Sequence, residues 1–598
     1  MTLELSVPVT GSPVAALLAA FGVARWLESA ARDLSSDPLA IEIVHGGDRV
    51  ILRVPSHITP DRIAAAGYQK PAFQWILTAK NGPAPAHLSI FDYEAERSRN
   101  TEYFARRDAL RKAGTSLKSL LPEQQREIEE LEPRPEWSTA VMLNQMGALK
   151  AYNKAVERWA ACRTVYPELV TIIWTMTDGQ PEAIDRAQTL WERLAKECGL
   201  EKNATLTATQ VVNPEQGKGA NYPKANKLSI GGQDSFWLLE YFKFAGLYIA
   251  ALPRTVREKK DRKTYVVVPS RQGLLLRWHR QVFERFHKEL YSTSAIKMDI
   301  LAALHFTRVM LEQWQEAQQS LRRSRRRPSD FVEGLAVVSY KDLGSAFAVM
   351  NVATIGLPEW TPWPESAADA AKVIAAIQEH EWIIGAIGRH RNEEKPTGDE
   401  EQLLRDYRDF LSDRDPSLRA FFRFIVAYAG YRLREQARGF TTTNLEVIIM
   451  AQETERQKKF KPIIENLGFQ RIARAIRQST VTQQYWGDNL YDVRYGLADE
   501  LHRHSRDKAD FLRALSKFLQ EYSQENARVL ERARKQGRDV LRKRVAITHE
   551  DIAQLVALVD EYDAATIASL LIAFGYARET GSDDGKDTPQ LEEQDAAE

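Results

Sequence analysis

The chain has 598 residues, of which 44% are hydrophobic and 27% are charged. At roughly 100–200 residues per domain, this length predicts about three to five domains, and the composition excludes a disordered or fibrous protein. The 82 basic and 81 acidic residues leave a formal net charge of +1, which as a total points to no charged partner.

The first 95 residues have the pattern of a mixed α/β part. The strand LELSVPV is followed by a helix over Pro13–Ala31 and by two strands, at 40–44 and 49–54, around the turn 45–48. The most apolar stretch, Pro13–Leu27, is too short to span a bilayer, and no other segment reaches about 18 uninterrupted apolar residues. We therefore expect a soluble, cytoplasmic protein.

Helical periodicity dominates residues 96–200, whereas residues 201–233 are rich in Gly, Asn, Pro and Lys and are predicted to be a loop. The two cysteines, Cys162 and Cys198, are too few for a disulfide framework or a four-thiolate zinc site. Both are predicted to be buried thiols in a reducing compartment. An apolar helix over Ser235–Leu252 then precedes a basic turn, the strand Thr264–Val268 and a long basic helical region that ends at Arg327.

Residues 330–400 are mixed, and their Pro/Trp segment Leu357–Pro364 is predicted to be a linker. Helical periodicity resumes at 401–439 and continues from about 441 to 578, with breaks at Gly468, Gly487 and 546–548. Thr548 is predicted to cap the start of the last helix. The fold prediction is a predominantly α-helical α+β multidomain chain, with domains at 1–95, 96–330, 331–440 and 441–578 and an acidic tail at 579–598 that is disordered by composition.

The near-zero total charge is a cancellation between segments. The last twenty residues carry a net charge of −7, so the remaining 578 residues carry +8. Four clusters concentrate the positive charge: Arg254–Lys288 at +8, Leu321–Arg327 at +5, Arg456–Arg477 at +6 and Arg528–Arg544 at +6. Segregation of this kind favours a phosphate-bearing partner, although solvated helix faces would produce single clusters as well.

Motifs for catalysis are absent from the sequence. Gly217-Lys218-Gly219 lacks the remaining parts of a Walker motif, and there is no HExxH, no His-Asp dipeptide and no GxSxG. The histidine pairs His279/His287 and His502/His504 are poorly spaced or placed for sharing a metal ion. We therefore predict no enzyme, no cofactor and no metal site, although a site assembled by folding stays open.

The basic clusters and the Gly-rich loop supply the predicted nucleic-acid contacts. The best candidate is Arg254–Lys263, because six cations in ten residues between a core helix and a core strand are not expected to be buried. The aromatic residues of Phe236–Tyr248 have the spacing of a buried helix. The predicted contact residues are Lys218, Lys224, Lys227, Arg254, Arg257, Lys259, Lys260, Arg262, Lys263, Arg271, Arg322, Arg323, Arg325, Arg326, Lys458, Lys459, Lys461, Arg471, Arg474 and Arg477.

Three segments resemble one family. Gly231–Pro269 (GGQDSFWLLEYFKFAGLYIAALPRTVREKKDRKTYVVVP) and the N-terminal strand with SPVAALLAAFGVARWLE are similar to large subunits of type I CRISPR surveillance (Cascade) complexes. Phe469–Glu531 is similar to the helical small-subunit module that such chains carry at their C-terminus. The resemblance covers about half of the chain.

The resemblance implies a non-catalytic subunit in antiviral defence that binds crRNA, recognises a PAM in double-stranded target DNA, and stabilises the R-loop and its displaced single strand. Its partners would be the backbone subunits of the complex and a separate helicase-nuclease or transposition protein. This chain lacks the thiolate zinc site of some relatives and a histidine-aspartate nuclease domain, and no PAM-reading residue is assigned to it.

Met450 is a candidate internal start, because it stands where the chain becomes wholly helical and translation from it would yield residues 450–598. The alternative is an ordinary core methionine. Two further functions stay open at this point: a metal-dependent nucleic-acid-processing enzyme, and a helical protein-binding scaffold, for which no 34- or 40-residue repeat is present.

Overall fold

The computed structural model confirms a predominantly helical α+β multidomain protein, 61% helix and 15% strand. The structure describes residues 2–9, 11–32, 40–113, 120, 122–215, 234–256, 261–287, 294–316, 328–344, 346–362, 364, 366–388, 397–415, 417–451, 460–486, 490–537 and 544–579.

The described residues form two compact units that divide at Leu357/Pro358. The division falls inside the segment predicted to be a linker. This segment is not a free linker, because the Trp360 side chain is fully buried and stacks on Phe410 with ring centroids 5.9 Å apart. The finer domain boundaries stay predictions.

The first unit opens with an antiparallel sheet in the order β1-β3-β2-β10. Its strands are β1 (Thr2–Pro8), β2 (Glu42–His45), β3 (Arg49–Pro55) and β10 (Leu274–Leu275). The predicted hairpin is confirmed, since His45 pairs with Val50 and Gly47 takes a φ of +90° that glycine adopts without strain.

Two helices of this unit cross in direct backbone contact: α1 (Pro13–Ala31), as predicted, and α9 (Trp237–Ala250). A Cβ added at Gly22 would lie 1.9 Å from the Phe242 carbonyl oxygen, and one at Gly246 would lie 1.8 Å from that of Leu18. Among the described helices only α1 is long and apolar enough to cross a membrane, and 83% of its apolar window is buried inside the protein. The helix extends beyond the apolar stretch Pro13–Leu27, and it serves here as a core helix.

The helical region between these elements is confirmed and contains two small sheets, β4 with β5 and β6 with β7. Cys162 is buried, and burial raises the pKa of its thiol to about 12. Cys198 is exposed, so the prediction of two buried thiols is wrong for this residue, which follows the last turn of α8. The elements are α2 (Pro60–Ala65), β4 (Trp75–Leu77), β5 (Ile90–Asp92), α3 (Tyr93–Lys112), α4 (Pro122–Leu131), α5 (Trp137–Gln145), α6 (Leu149–Ala161), a 3-10 turn (Cys162–Val165), α7 (Tyr166–Met176), α8 (Ala183–Glu197), β6 (Thr205–Thr207) and β7 (Asp234–Phe236).

A second antiparallel sheet, in the order β12-β11-β9-β8, completes the first unit. Two sequence predictions are wrong at strand β8. The helix predicted to end at Leu252 ends at Ala250, and the residues predicted to begin a basic turn are part of the strand. The bounds are β8 (Ala251–Val256), β9 (Asp261–Pro269), α10 (Leu276–Phe286), α11 (Ala295–Glu316), α12 (Pro328–Phe331), β11 (Val332–Asp342) and β12 (Phe347–Gly356).

The described part of the second unit is helical. Thr548 caps the start of α22 (His549–Glu561) as predicted, since its side chain accepts from the Asp551 backbone N–H while the Asp551 carboxylate accepts from the Thr548 N–H. The prediction that this helix is the last is wrong, because α23 (Ala564–Gly575) follows it. The bounds are α13 (Ala367–Ala386), α14 (Gly398–Leu411), α15 (Arg419–Glu435), α16 (Thr442–Ala451), α17 (Lys461–Ile464), α18 (Leu467–Ser479), α19 (Val481–Trp486), α20 (Leu497–His504), α21 (Lys508–Lys535), α22 (His549–Glu561) and α23 (Ala564–Gly575).

Candidate nucleic-acid interface

Three of the six cations of the Arg254–Lys263 cluster, Arg254, Arg262 and Lys263, lie on the two paired strands β8 and β9. Arg254 stands opposite Lys263 in the antiparallel register, and the paired residues end at Val256 and Asp261. Arg257, Lys259 and Lys260, which connect the strands, lie outside the described residues.

Lys263 is buried, with 7% of the residue exposed. Its Nζ lies 2.6 Å from the Asp299 carboxylate and 3.1 Å from the Ala295 carbonyl oxygen, and the Tyr265 hydroxyl donates to the same carboxylate. The prediction that Lys263 is a surface cation is therefore wrong: its ammonium is neutralised by a helix α11 carboxylate and has no free donor face for a phosphate.

Arg262 and Arg254 also have contacts within the first unit. The Arg262 guanidinium donates to Thr255 and Gln145 and lies 5.8 Å from the Phe347 ring centre, and burial lowers its pKa. Arg254 donates to the Pro253 carbonyl oxygen at 3.0 Å and to that of His287. These contacts hold β8 and β9 against neighbouring residues. The cations just before and just after residues 257–260 therefore stabilise the fold.

Arg271 is exposed in the turn after β9, and its side chain makes no hydrogen bond or ion pair with any described residue. Seven other predicted contacts lie outside the described residues: Lys218, Lys224, Lys227, Arg322, Arg323, Arg325 and Arg326.

Three predicted cations lie on helix α18 of the second unit. The Arg471 guanidinium is 3.2 Å from Asp551 with 49% of its side chain exposed, and that of Arg474 is 3.5 Å from Glu579 with 54% exposed. Arg477 is buried: it lies 2.7 Å from Glu579 and donates to the Phe574 carbonyl oxygen, and burial lowers its pKa. Arg471 and Arg474 can therefore reach a polyanion, whereas Arg477 belongs to the core and its prediction is wrong.

The remaining predicted residues of this region are at the preceding helices. Lys461 begins α17 and is 3.7 Å from Glu465, one turn on. Lys458 and Lys459 lie outside the described residues. Met450 is in the last turn of α16, so the candidate internal start falls at the end of a helix and not at its beginning.

Helix α21 ends in a basic face that was not among the predicted contact residues. Arg528, Arg532 and Lys535 recur at i, i+4 and i+7 and share one side of the helix. Their side chains are exposed and make no hydrogen bond or ion pair with any described residue. The sequence indicated this face through the net charge of +6 over Arg528–Arg544. The helical spacing of Arg528, Arg532 and Lys535 would have identified them as candidate contact residues.

Helix α21 contacts α18 through a side-chain hydrogen bond. The Tyr522 hydroxyl of α21 lies 3.1 Å from Gln478 of α18 and donates to the Val545 carbonyl oxygen at 2.8 Å. Arg544 is buried beside them, 2.7 Å from Glu525 and 3.7 Å from the Tyr491 ring centre. The exposed cations of α18 and α21 therefore lie on adjacent helices of one packed unit.

Two exposed tyrosines flank the C-terminal end of α18. Tyr485 on α19 is 68% exposed, and Tyr495 is 57% exposed. Tyr495 is fixed near this end because the backbone N–H of its neighbour Arg494 donates to the Ser479 carbonyl oxygen at 2.8 Å. Exposed aromatic rings have the chemistry on which single-stranded nucleic-acid bases stack.

Metal-ligating side chains do not cluster in the part of the chain that the structure describes: no group of three or more His, Cys, Asp or Glu residues is placed to hold an ion there. Buried histidines such as His279 and His380 have protein partners instead, the Ile249 carbonyl oxygen and the Asn444 side chain. No protein-family model matches the chain, and no curated protein is significantly similar to it in sequence.

Proposed function

We propose that the chain is the non-catalytic large subunit of a crRNA-guided type I CRISPR effector complex. It binds target DNA at the PAM, stabilises the R-loop and its displaced strand, and recruits a helicase-nuclease or a transposition protein. The resemblance of Gly231–Pro269 and Phe469–Glu531 to that family is the reason for this choice among polyanion binders.

The observation that carries the nucleic-acid part of the proposal is the exposed cationic surface of the second unit. We call Arg471 and Arg474 of α18 with Arg528, Arg532 and Lys535 of α21 the α18/α21 surface. The three α21 cations form no ion pair with a described residue, so phosphates can replace their counterions on binding. Tyr485 and Tyr495 add stacking faces for single-stranded bases.

Charge reversal tests this surface in the purified full-length chain. The triple variant Arg528→Glu, Arg532→Glu, Lys535→Glu is compared with wild type for binding to a fluorescein-labelled duplex and single strand by anisotropy, over a range of salt concentrations. We expect about three fewer phosphate contacts, seen as a shallower slope of log K against log salt.

The matched control reverses three exposed cations of the first unit, Arg193→Glu, Lys196→Glu and Lys202→Glu. It keeps the same total charge change, so equal loss of affinity in both variants would show that only net charge matters and would remove the α18/α21 surface from the proposal.

The CRISPR assignment has a separate test. The chain, expressed in its native host with an affinity tag, should copurify with a short RNA of repeat-derived sequence and with backbone subunits. A chain that binds nucleic acid but purifies without such RNA would contradict the assignment and leave the binding surface intact.

A further inference from the structure

Strand β12 forms one edge of the β12-β11-β9-β8 sheet, and among the described residues it pairs with β11 on one side only. Its ten residues, FAVMNVATIG, include no charged residue and no proline. Natural sheets protect such edges, because the free row of backbone N–H and C=O groups is a template for a further strand.

The opposite edge of the same sheet is protected in the usual way. Strand β8 carries Pro253, which has no N–H to offer, followed by Arg254, whose guanidinium donates to backbone carbonyl oxygens. The two edges of one sheet thus differ: β8 carries a proline and an arginine, which hinder pairing with a further strand, whereas β12 carries no proline and no charged residue.

The middle of β12 is accessible. Residues 349–354 are all half-buried or exposed, whereas the flanking Ala348 and Ile355 are buried. Met350 is 62% exposed and is the extra residue of a β-bulge, since Ser339 pairs with Asn351 and Tyr340 with Val349. Gln210 donates to the Phe347 carbonyl oxygen at 2.8 Å, so a side chain covers only the start of the strand.

We propose that the β12 edge binds an extended, uncharged segment of another protein, which adds to the sheet as a fifth strand. Backbone hydrogen bonds along residues 349–354 supply affinity, and the exposed Met350 side chain contacts an apolar side chain of the partner. This role is independent of whether the chain binds nucleic acid.

The edge itself selects this occupant. A row of alternating backbone donors and acceptors is completed by another extended polypeptide, and ten successive residues without a cation give a polyanion nothing to bind. A second copy of the chain is a weaker fit, because a pair of ten-residue strands buries far less than the roughly 800 Å² per partner of a stable dimer. A heterologous partner that also contacts other surfaces supplies the missing area.

Hydrogen–deuterium exchange on the purified full-length chain tests the proposal. The probe is an acetylated and amidated ten-residue peptide of alternating Thr and Val, added at millimolar concentration. A second peptide with two prolines in place of central valines is the control, and oligodeoxythymidylate is the polyanion control. We expect the Thr/Val peptide alone to slow exchange of the 349–354 amides about tenfold, since backbone pairing tolerates many sequences.

Edge variants identify the contact. Met350→Lys and Thr354→Lys should abolish the protection, while Leu343→Lys, at an exposed position of the same hairpin outside the strand, should retain it. Slow exchange, in the isolated monomer, of those 349–354 amides that are directed away from β11 would overturn the proposal, because it would mean that the chain covers its own edge. Absence of peptide protection, or a concentration-dependent dimer that the Lys variants dissolve, would overturn it as well.

Discussion

Basic residues have different roles in this protein, and the surroundings of each side chain determine which role it has. Lys263 is neutralised by Asp299 inside the first unit, Arg477 lies buried between Glu579 and a carbonyl oxygen, and Arg528 is exposed without a described partner. A run of basic residues in the sequence therefore marks a region, and the environment of each side chain determines whether it can bind phosphate.

Lys263→Ala should destabilise the protein by about 3–5 kcal/mol, because it removes the cation that neutralises the buried Asp299 carboxylate. Urea denaturation of the full-length chain measures the change. The exposed Arg271→Ala should alter the free energy of unfolding by less than about 0.5 kcal/mol. Equal stability of both variants would contradict the buried ion pair.

Acid should destabilise the protein through its buried histidines. Burial lowers the pKa of His279 to about 4 and those of His287 and His380 to about 3, compared with about 6.5 in an unfolded chain. Between these values the unfolded chain binds protons that the folded chain does not, so the free energy of unfolding falls as pH decreases from about 6.5 toward 4.

The measurement is the free energy of unfolding in urea at several pH values from neutral to about pH 5. His380→Phe removes one of the three titrating groups, so its stability should depend less steeply on pH than that of wild type, whatever its stability at neutral pH. An unchanged slope would show that His380 titrates equally in both states.

At the scale of elements, the local pattern predicts helices and strands well, and close packing adds constraints that the pattern does not show. The bounds of α1 are as predicted, and the hairpin of β2 and β3 is found around the predicted turn. The crossing of α1 and α9 was not predicted, because glycine in an apolar helix has no signature that separates a helix crossing from a tolerated small residue.

Gly22→Ala and Gly246→Ala should each destabilise the protein by about 1–3 kcal/mol or more, because the added methyl groups meet backbone carbonyl oxygens that cannot move without separating α1 from α9. Gly430→Ala in α15 is the control: its new methyl group meets only the end of the flexible Arg434 side chain at 3.4 Å, and a helical alanine gains stability. Thermal unfolding of the three variants distinguishes them.

For the whole molecule, the net charge of +1 is the sum of +8 over the first 578 residues and −7 over the last twenty. Glu579, the last described residue, lies 3.5 Å from Arg474 and 2.7 Å from Arg477. The acidic residues that follow it in the sequence are joined to the chain at this point, and we expect their negative charge to oppose the binding of phosphates to the α18/α21 surface.

Truncation after Glu579 removes seven acids and one lysine while leaving the contacts of Glu579 in place. We expect non-specific affinity for a random-sequence duplex to rise about tenfold at low salt and the difference to shrink at high salt, because the repulsion is screened. Anisotropy titrations measure it. A full-length variant with the seven acids changed to their amides should behave like the truncation; if it resembles wild type instead, charge is not the cause.

The fold class, the principal helices, the hairpin and the segments rich in positive charge follow from the sequence, because periodicity and composition are local properties. Which cations face solvent, and which strand forms a sheet edge, depends on contacts between distant residues. Lys263 and Asp299 are 36 residues apart in the chain, so no local sequence pattern predicts their ion pair. Burial and strand pairing depend on which residues the fold brings together. The fold leaves Arg528, Arg532 and Lys535 exposed and, among the described residues, leaves β12 without a strand on one side.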